Sequence, residues 1–142
     1  MEFDPGNEVV RLCSKGMEME GMGDLSAAAK LFEEAWDRAA TSFEKFTAAH
    51  YVARHQPSIN GKLNWDETAL KHALAISDPS IRHSLPSLYL NVAKGYEDLN
   101  DPAKARMNYE KAFSFVEYLP DDGYGNMIKA GIANGLKRVI HS

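Results

Sequence analysis

Cysteine is almost missing from this chain. Its single thiol, Cys13, excludes an intramolecular disulfide and any zinc site built on several cysteines. Long apolar runs are missing too: none approaches the ~18 residues that cross a bilayer as a helix, so no membrane partner is expected. The opening, MEFDPGNEVV, is acidic and has no apolar centre, which speaks against a secretory signal. Positive charge is short: 16 Lys and Arg against 20 Asp and Glu leave a net charge of −4. That is the wrong sign for displacing counterions from a phosphate backbone, and no nucleic-acid partner is expected. Strand-like alternation is not evident either. Gly21-Met22-Gly23 therefore reads as a helix end rather than a phosphate loop after a strand, and a doubly wound nucleotide- or S-adenosylmethionine-dependent transferase is excluded. Taken together these absences lead to the expectation of a cytoplasmic protein without a cofactor.

What is present is helical periodicity. The 142 residues, 44% of them apolar, are enough for one domain with a real core. Leu90 to Ala112 reads as two amphipathic helices with Tyr89, Ala93 and Tyr96 on one inner face and Ala105, Tyr109 and Ala112 on the other. Large and small side chains alternate so that the two backbones can approach. Asn100 and Asp101 form the turn, with Asp101 as N-cap and Pro102 at the first helical position, where its missing N–H costs nothing. Met1 to Asn7 are expected to fray around Pro5 and Gly6. A helix then runs from about Glu8 to Glu20 on Val9, Leu12, Gly16 and Met19. A second runs from about Leu25 to Ala40 on Ala28, Phe32 and Ala35.

The two hairpins superimpose without gaps. Leu12, Gly16, Met19, Ala28, Phe32 and Ala35 each lie 77 residues before Tyr89, Ala93, Tyr96, Ala105, Tyr109 and Ala112, and Gly23-Asp24 falls on Asn100-Asp101. One shared offset for six core positions and a turn is an internal repeat. A distorted hairpin lies between them. Its first helix, about Ser42 to His55, carries Phe46, His50 and Ala53; Pro57 stops it and Ser58 caps the next, which uses Ala69, Ala73 and Ile76 to about Ser77. A longer connection there, with two further residues near Asp78-Pro79-Ser80, accounts for 77 rather than two repeats of about 34 residues. After Leu119-Pro120, a last helix from about Asp122 carries Met127, Ile128, Ile132, Leu136 and Val139 as its apolar stripe. Its Gly131 and Gly135 suit a close approach, to the third hairpin or to a second copy as a homodimer contact through this C-terminal helix.

This spacing resembles the tetratricopeptide repeat (TPR), a helix–turn–helix unit. The departures are Met19 in place of an aromatic and the absence of the closing proline at Ala40 and Glu117. The resemblance implies an all-α fold of about seven helices. It forms a right-handed α-α superhelix, a TPR-like helical hairpin solenoid in a single domain over 1–142. The units fall at about 9–42, 43–77 and 86–119, with a capping helix at about 122–140. It also implies a non-catalytic scaffold or adaptor that holds a protein or peptide segment on the face of its first helices. Projected onto this sequence, that groove comprises Met17, Glu20, Thr47, Tyr51, Arg54, Leu90, Asn91, Lys94 and Glu97, with Cys13 beside it. In the absence of a ligand, Arg54 and Lys94 are expected to pair with Glu20 and Glu97. Some relatives clamp a terminal carboxylate with lysine, asparagine and arginine. The matching places here hold Cys13, Met17, Ala48, Ser87 and Asn91, of which only Asn91 agrees, so that clamp is not expected.

The segment Ala48 to Gln56 supports a different reading. His50 takes a slot usually given to a small residue, and the space it forces open would be a small-ligand or catalytic pocket around His50, Tyr51, Arg54 and His55. Trp65 would wall it, and Tyr89 or Asn91 would floor it. The plainer account of His50 is a core histidine bonded to a carbonyl or a tyrosine. No metal site is expected: His50 and His55 point about 140° apart on one helix, and His72, His83 and His141 are scattered. Trp36 is expected to pack on the next hairpin through Phe43 or, if exposed, to act as an anchor.

Overall fold

The computed structural model of the protein describes residues 4–140. Met1 to Phe3 of the expected frayed segment, and His141, lie outside them. Among the described residues every regular element is helical, as the periodicity predicts. They are α1 (Glu8–Gly21), α2 (Leu25–Arg38), α3 (Ser42–Ala53), α4 (Ile59–Leu74), α5 (Leu85–Asp98), α6 (Pro102–Ser114) and α7 (Gly123–Val139). Short 3₁₀ turns occupy Pro79–His83 and Val116–Tyr118. The contacts divide the chain into two compact units at Ile76 and Ser77. One holds α1 to α4 and the other α5 to α7.

In the first unit, caps decide where each helix begins. Fraying does not reach Asn7: its side-chain oxygen accepts from the amides of Val9 (2.9 Å) and Val10 (3.1 Å), which satisfies two donors that the first turn of α1 leaves open. Asp24 caps α2 through Ala27 N (3.1 Å), and Ser58 caps α4 through Gly61 N (3.0 Å). Thr41 and Glu44 form a reciprocal capping box at α3. The second carboxylate oxygen of Glu44 accepts from Asn7 Nδ2 (2.9 Å), tying the starts of α1 and α3 together. Three donors on one carboxylate hold the Glu44 carboxyl below its ordinary value, the Ala40 amide contributing most.

Phe32 is the centre of this unit's core. It is fully buried among Val9, Cys13, Ala28, Ala35, Ala48 and Val52. A Cβ at position 16 would come within 2.3 Å of its ring, so glycine there is what lets α1 and α2 close on an aromatic. Helix α3 packs on both members of the hairpin, and α4 packs on α3.

The second unit repeats the first hairpin in detail. Gly23 (φ 80°) and Asn100 (φ 63°) are the two described residues with positive φ, and both end a first helix. The amides that follow them close the same bond, Asp24 N to Met19 O and Asp101 N to Tyr96 O, each 2.9 Å. Asp101 caps α6 through Lys104 N (3.1 Å), as Asp24 caps α2. Tyr109 takes the place of Phe32 and is fully buried with Ala93, Ala105 and Val139. Helix α7 packs on both α5 and α6, as α3 does on α1 and α2. A Cβ at position 135 would lie 2.3 Å from the Tyr109 ring, and one at 131 would lie 3.1 Å from Leu90 Cδ2. The two glycines are therefore spent on docking inside the unit.

Candidate functional site

Two helix faces carry the residues that the sequence singles out, one in each unit. In the first, α1 presents Met17, 39% exposed, one turn before Glu20. Helix α3 presents Tyr51, and Arg54 follows as its C-cap. The Tyr51 ring stacks on Phe32 (centroids 5.1 Å) and is crossed edge-on by His50 (5.2 Å). The Arg54 guanidinium lies 5.5 Å from the Tyr51 centroid, a cation–π distance. Glu20 accepts from His55 Nε2 at 2.8 Å and pairs with Arg54 at 3.4 Å. His55 also stacks on Phe32 (5.5 Å). The expected Arg54–Glu20 pair is thus present, and the Arg54 side chain, 46% exposed, still faces solvent. Thr47 needs correction. It is buried, and its hydroxyl donates to Phe43 O (2.8 Å) along its own helix, so it offers a partner neither surface nor a free donor.

In the second unit Leu90 and Asn91 are half-buried on α5, and Gly131 of α7 sits against the Leu90 side chain. Lys94 pairs with Asp98 rather than with the expected Glu97, because α5 places Asp98 one turn further on the same face. Glu97 is committed elsewhere: it accepts the Tyr109 hydroxyl (2.6 Å) and the Arg138 guanidinium (2.7 and 3.1 Å). The Arg138 bond chiefly holds its carboxyl below the usual range. Burial first, and then the Glu97 bond, raise the Tyr109 hydroxyl. Glu20 and Glu97 stand at the same place in the repeated hairpin. Glu20 pairs with Arg54, the residue that caps the end of α3, and Glu97 with Arg138 of α7. Sequence reasoning grouped both with the groove. Their geometry makes them ties between helices.

The residues grouped around His50 fall in different places. Trp65 packs edge-on against Trp36 (5.0 Å, 88°). Trp36 touches Trp65 and His72 (6.1 Å), while Phe43 turns to Phe46 (5.9 Å). Tyr89 belongs to the other unit, where it stacks on Phe115 (6.0 Å) and borders an open hollow of about 440 Å³ with Met107 and Lys111. Desolvation raises the Tyr89 hydroxyl. His50 Nδ1 is buried and has no hydrogen-bond partner among the described residues. Burial, helped by Arg54 and Lys62, pushes its pKa down to about 4, so it is a neutral imidazole at neutral pH. The expected carbonyl or tyrosine bond is not made by this nitrogen.

Two features escaped the sequence. Asp66 is buried on α4 with Lys62 Nζ at 2.6 Å, and burial raises its carboxyl in spite of that lysine. Its position one turn from Lys62 is the signal that was there to read. The second is a hollow of about 390 Å³ lined by Glu33, Trp36 and Asp37 of α2, Val52 and Gln56 at the end of α3, and Trp65 of α4. Cys13 is buried and its thiol is pushed up to about 12, so it is no nucleophile at neutral pH. Among the described residues no three His, Cys, Asp or Glu side chains converge on a metal-sized space, and no helix is long and apolar enough to cross a membrane. Compared with protein-family models, curated proteins and solved structures, the chain finds no match.

Proposed function

We propose that this protein is a tetratricopeptide-type interaction module which holds a peptide or protein segment and catalyses no reaction. The observation that carries the reading is the repeat itself. Two hairpins share their core positions, their positive-φ turn, their capping aspartate and a glutamate at an offset of 77 residues, and each of these glutamates pairs with an arginine further along its own unit. Units that repeat a packing solution in this way present faces along the array, and recognition by such arrays uses those faces.

On the first unit the receiving face is Met17, Tyr51 and Arg54. An apolar thioether and an aromatic ring lie beside a cation that retains solvent access. On the second unit it is Asn91 and Lys94. Both faces suit a segment with an acidic group, since a charge-assisted hydrogen bond contributes roughly 1.5–3 kcal/mol. A cytoplasmic setting belongs to the same reading. The experiment is a pull-down with the immobilised full chain and its Arg54→Glu and Lys94→Glu variants. Proteins retained by the wild type are expected to be lost from at least one variant, by tenfold or more (about 1.4 kcal/mol or above), with circular dichroism and melting unchanged. Full retention of every partner by both variants removes these faces from the account.

A further inference from the structure

The hollow beside the two tryptophans is not part of either face and has a chemistry of its own. Trp36 and Trp65 are half-buried, each with part of its ring in the first unit's core and the rest bordering open space. Their planes stand at 88° with centroids 5.0 Å apart, and both residues line the hollow. Val52 is an apolar wall, and the Gln56 amide, in the connection after α3, donates to Val52 O (3.3 Å).

The remaining lining is two carboxylates, Glu33 and Asp37, both exposed. Neither forms an ion pair among the described residues, whereas Glu8, Glu34, Asp66, Glu97, Asp98 and Glu110 all do. Glu33 and Asp37 are one turn apart on α2, a spacing at which like charges repel. Asp37 is also the residue before the last of that helix, the end at which the backbone dipole disfavours an acid. Both placements are unfavourable for the isolated helix, and a cation in the hollow relieves both.

No lysine, arginine or histidine lines the space. The nearby positive groups, Lys45 and Lys71, lie by His72, whose pKa is lowered first by burial and then by them. Indole faces attract cations through their quadrupole, tryptophan best of the aromatic side chains. Carbon walls on two sides suit a weakly hydrated organic cation and not a metal ion, which requires converging oxygens. The volume is that of a small-ligand or side-chain pocket.

We infer that the hollow between α2 and α4 is a binding site for an organic cation, an alkylated ammonium or a guanidinium, held over Trp36 and Trp65 with Glu33 and Asp37 as counter-charges. This site is independent of the faces on α1 and α3.

The chain has two tryptophans, and both border the hollow, so intrinsic fluorescence reports on this site without labelling. The full chain is titrated with tetramethylammonium chloride, with sodium chloride at matched ionic strength, and with tert-butanol as the neutral counterpart of the same shape. A saturable change with tetramethylammonium alone is expected. The exposed double variant Glu33→Gln/Asp37→Asn should weaken it about tenfold with a melting temperature that is not lowered. Equal responses to the cation and the alcohol, or an unchanged affinity in the double variant, overturn the assignment. Hexapeptides bearing arginine or trimethyllysine form a second arm. Tighter binding than the free ion assigns the cation to a protein partner and equal binding assigns it to a small molecule; either result retains the site.

Discussion

His50 is the residue whose chemistry is least settled by its neighbours. It stands on α3 with Nδ1 buried and unpartnered among the described residues, its ring edge on Tyr51, and two cations, Arg54 and Lys62, acting on it. The folded chain keeps it neutral down to about pH 4, while the unfolded chain takes up its proton near the ordinary histidine value of about 6.5. Between those two pH values the unfolded state binds more protons, so stability falls as the solution is acidified. The loss reaches about 3 kcal/mol at most. Denaturant titrations at pH 7, 6 and 5 should show this slope, and His50→Gln, which has no proton to take up, should flatten it. A smaller slope of the same sign stays with His72, which burial also lowers. An unaltered slope in His50→Gln shows that the loss arises elsewhere. Asp66 and Glu97 show the same dependence on surroundings: two carboxylates beside basic partners, one raised by burial and one lowered by an arginine.

Among the helices, α7 is the one whose fit depends on missing side chains. Gly135 faces the ring of fully buried Tyr109, and a Cβ there meets two ring carbons at 2.3 Å. Gly131 faces the end of the Leu90 side chain at 3.1 Å, which can swing aside. Alanine is favoured over glycine by about 1 kcal/mol in a helix interior, so the two substitutions should differ in sign. Gly135→Ala is expected to destabilise by roughly 1–3 kcal/mol through overpacking, and Gly131→Ala to be neutral or stabilising. Equal melting temperatures for the two variants would contradict this docking of α7.

Much of this level was readable beforehand. Asp24, Ser58 and Asp101 act as caps because short polar side chains before an apolar periodicity have few other roles. Ala93, Tyr96, Ala105 and Tyr109 pack as their spacing required. Other features were not readable, and for physical reasons. The cap at Asn7 is secured by Glu44, 37 residues on, and the Trp36–Trp65 contact joins α2 to α4. Local periodicity shows which face of a helix turns inward, but not which residue of another helix it meets. The same limit misassigned Thr47 to a surface and Lys94 to Glu97.

Across the molecule, the two units share a hairpin and diverge in what they add to it. Phe32 stacks with Tyr51 and His55, whereas Tyr109 receives a glycine of α7 and donates its hydroxyl to Glu97. The apolar ring is held by stacking and the phenol by a hydrogen bond, one hairpin serving both. The candidate faces were legible in part. Met17, Tyr51 and Arg54 keep surface or a cation to offer, while Glu20 and Glu97 are drawn into ties that only the third helix of each unit makes visible. The tryptophan hollow had no sequence signature beyond the rarity of its two indoles.

The central claim, that the chain binds a segment on the α1 and α3 face, is tested most directly by mapping a bound segment onto its amides. Nitrogen-15 spectra of the full chain would be recorded with a segment of a protein that it retains. Shifts concentrated at Met17, Tyr51 and Arg54, lost in Arg54→Glu, are the predicted result. Binding that leaves those three amides unmoved would contradict it.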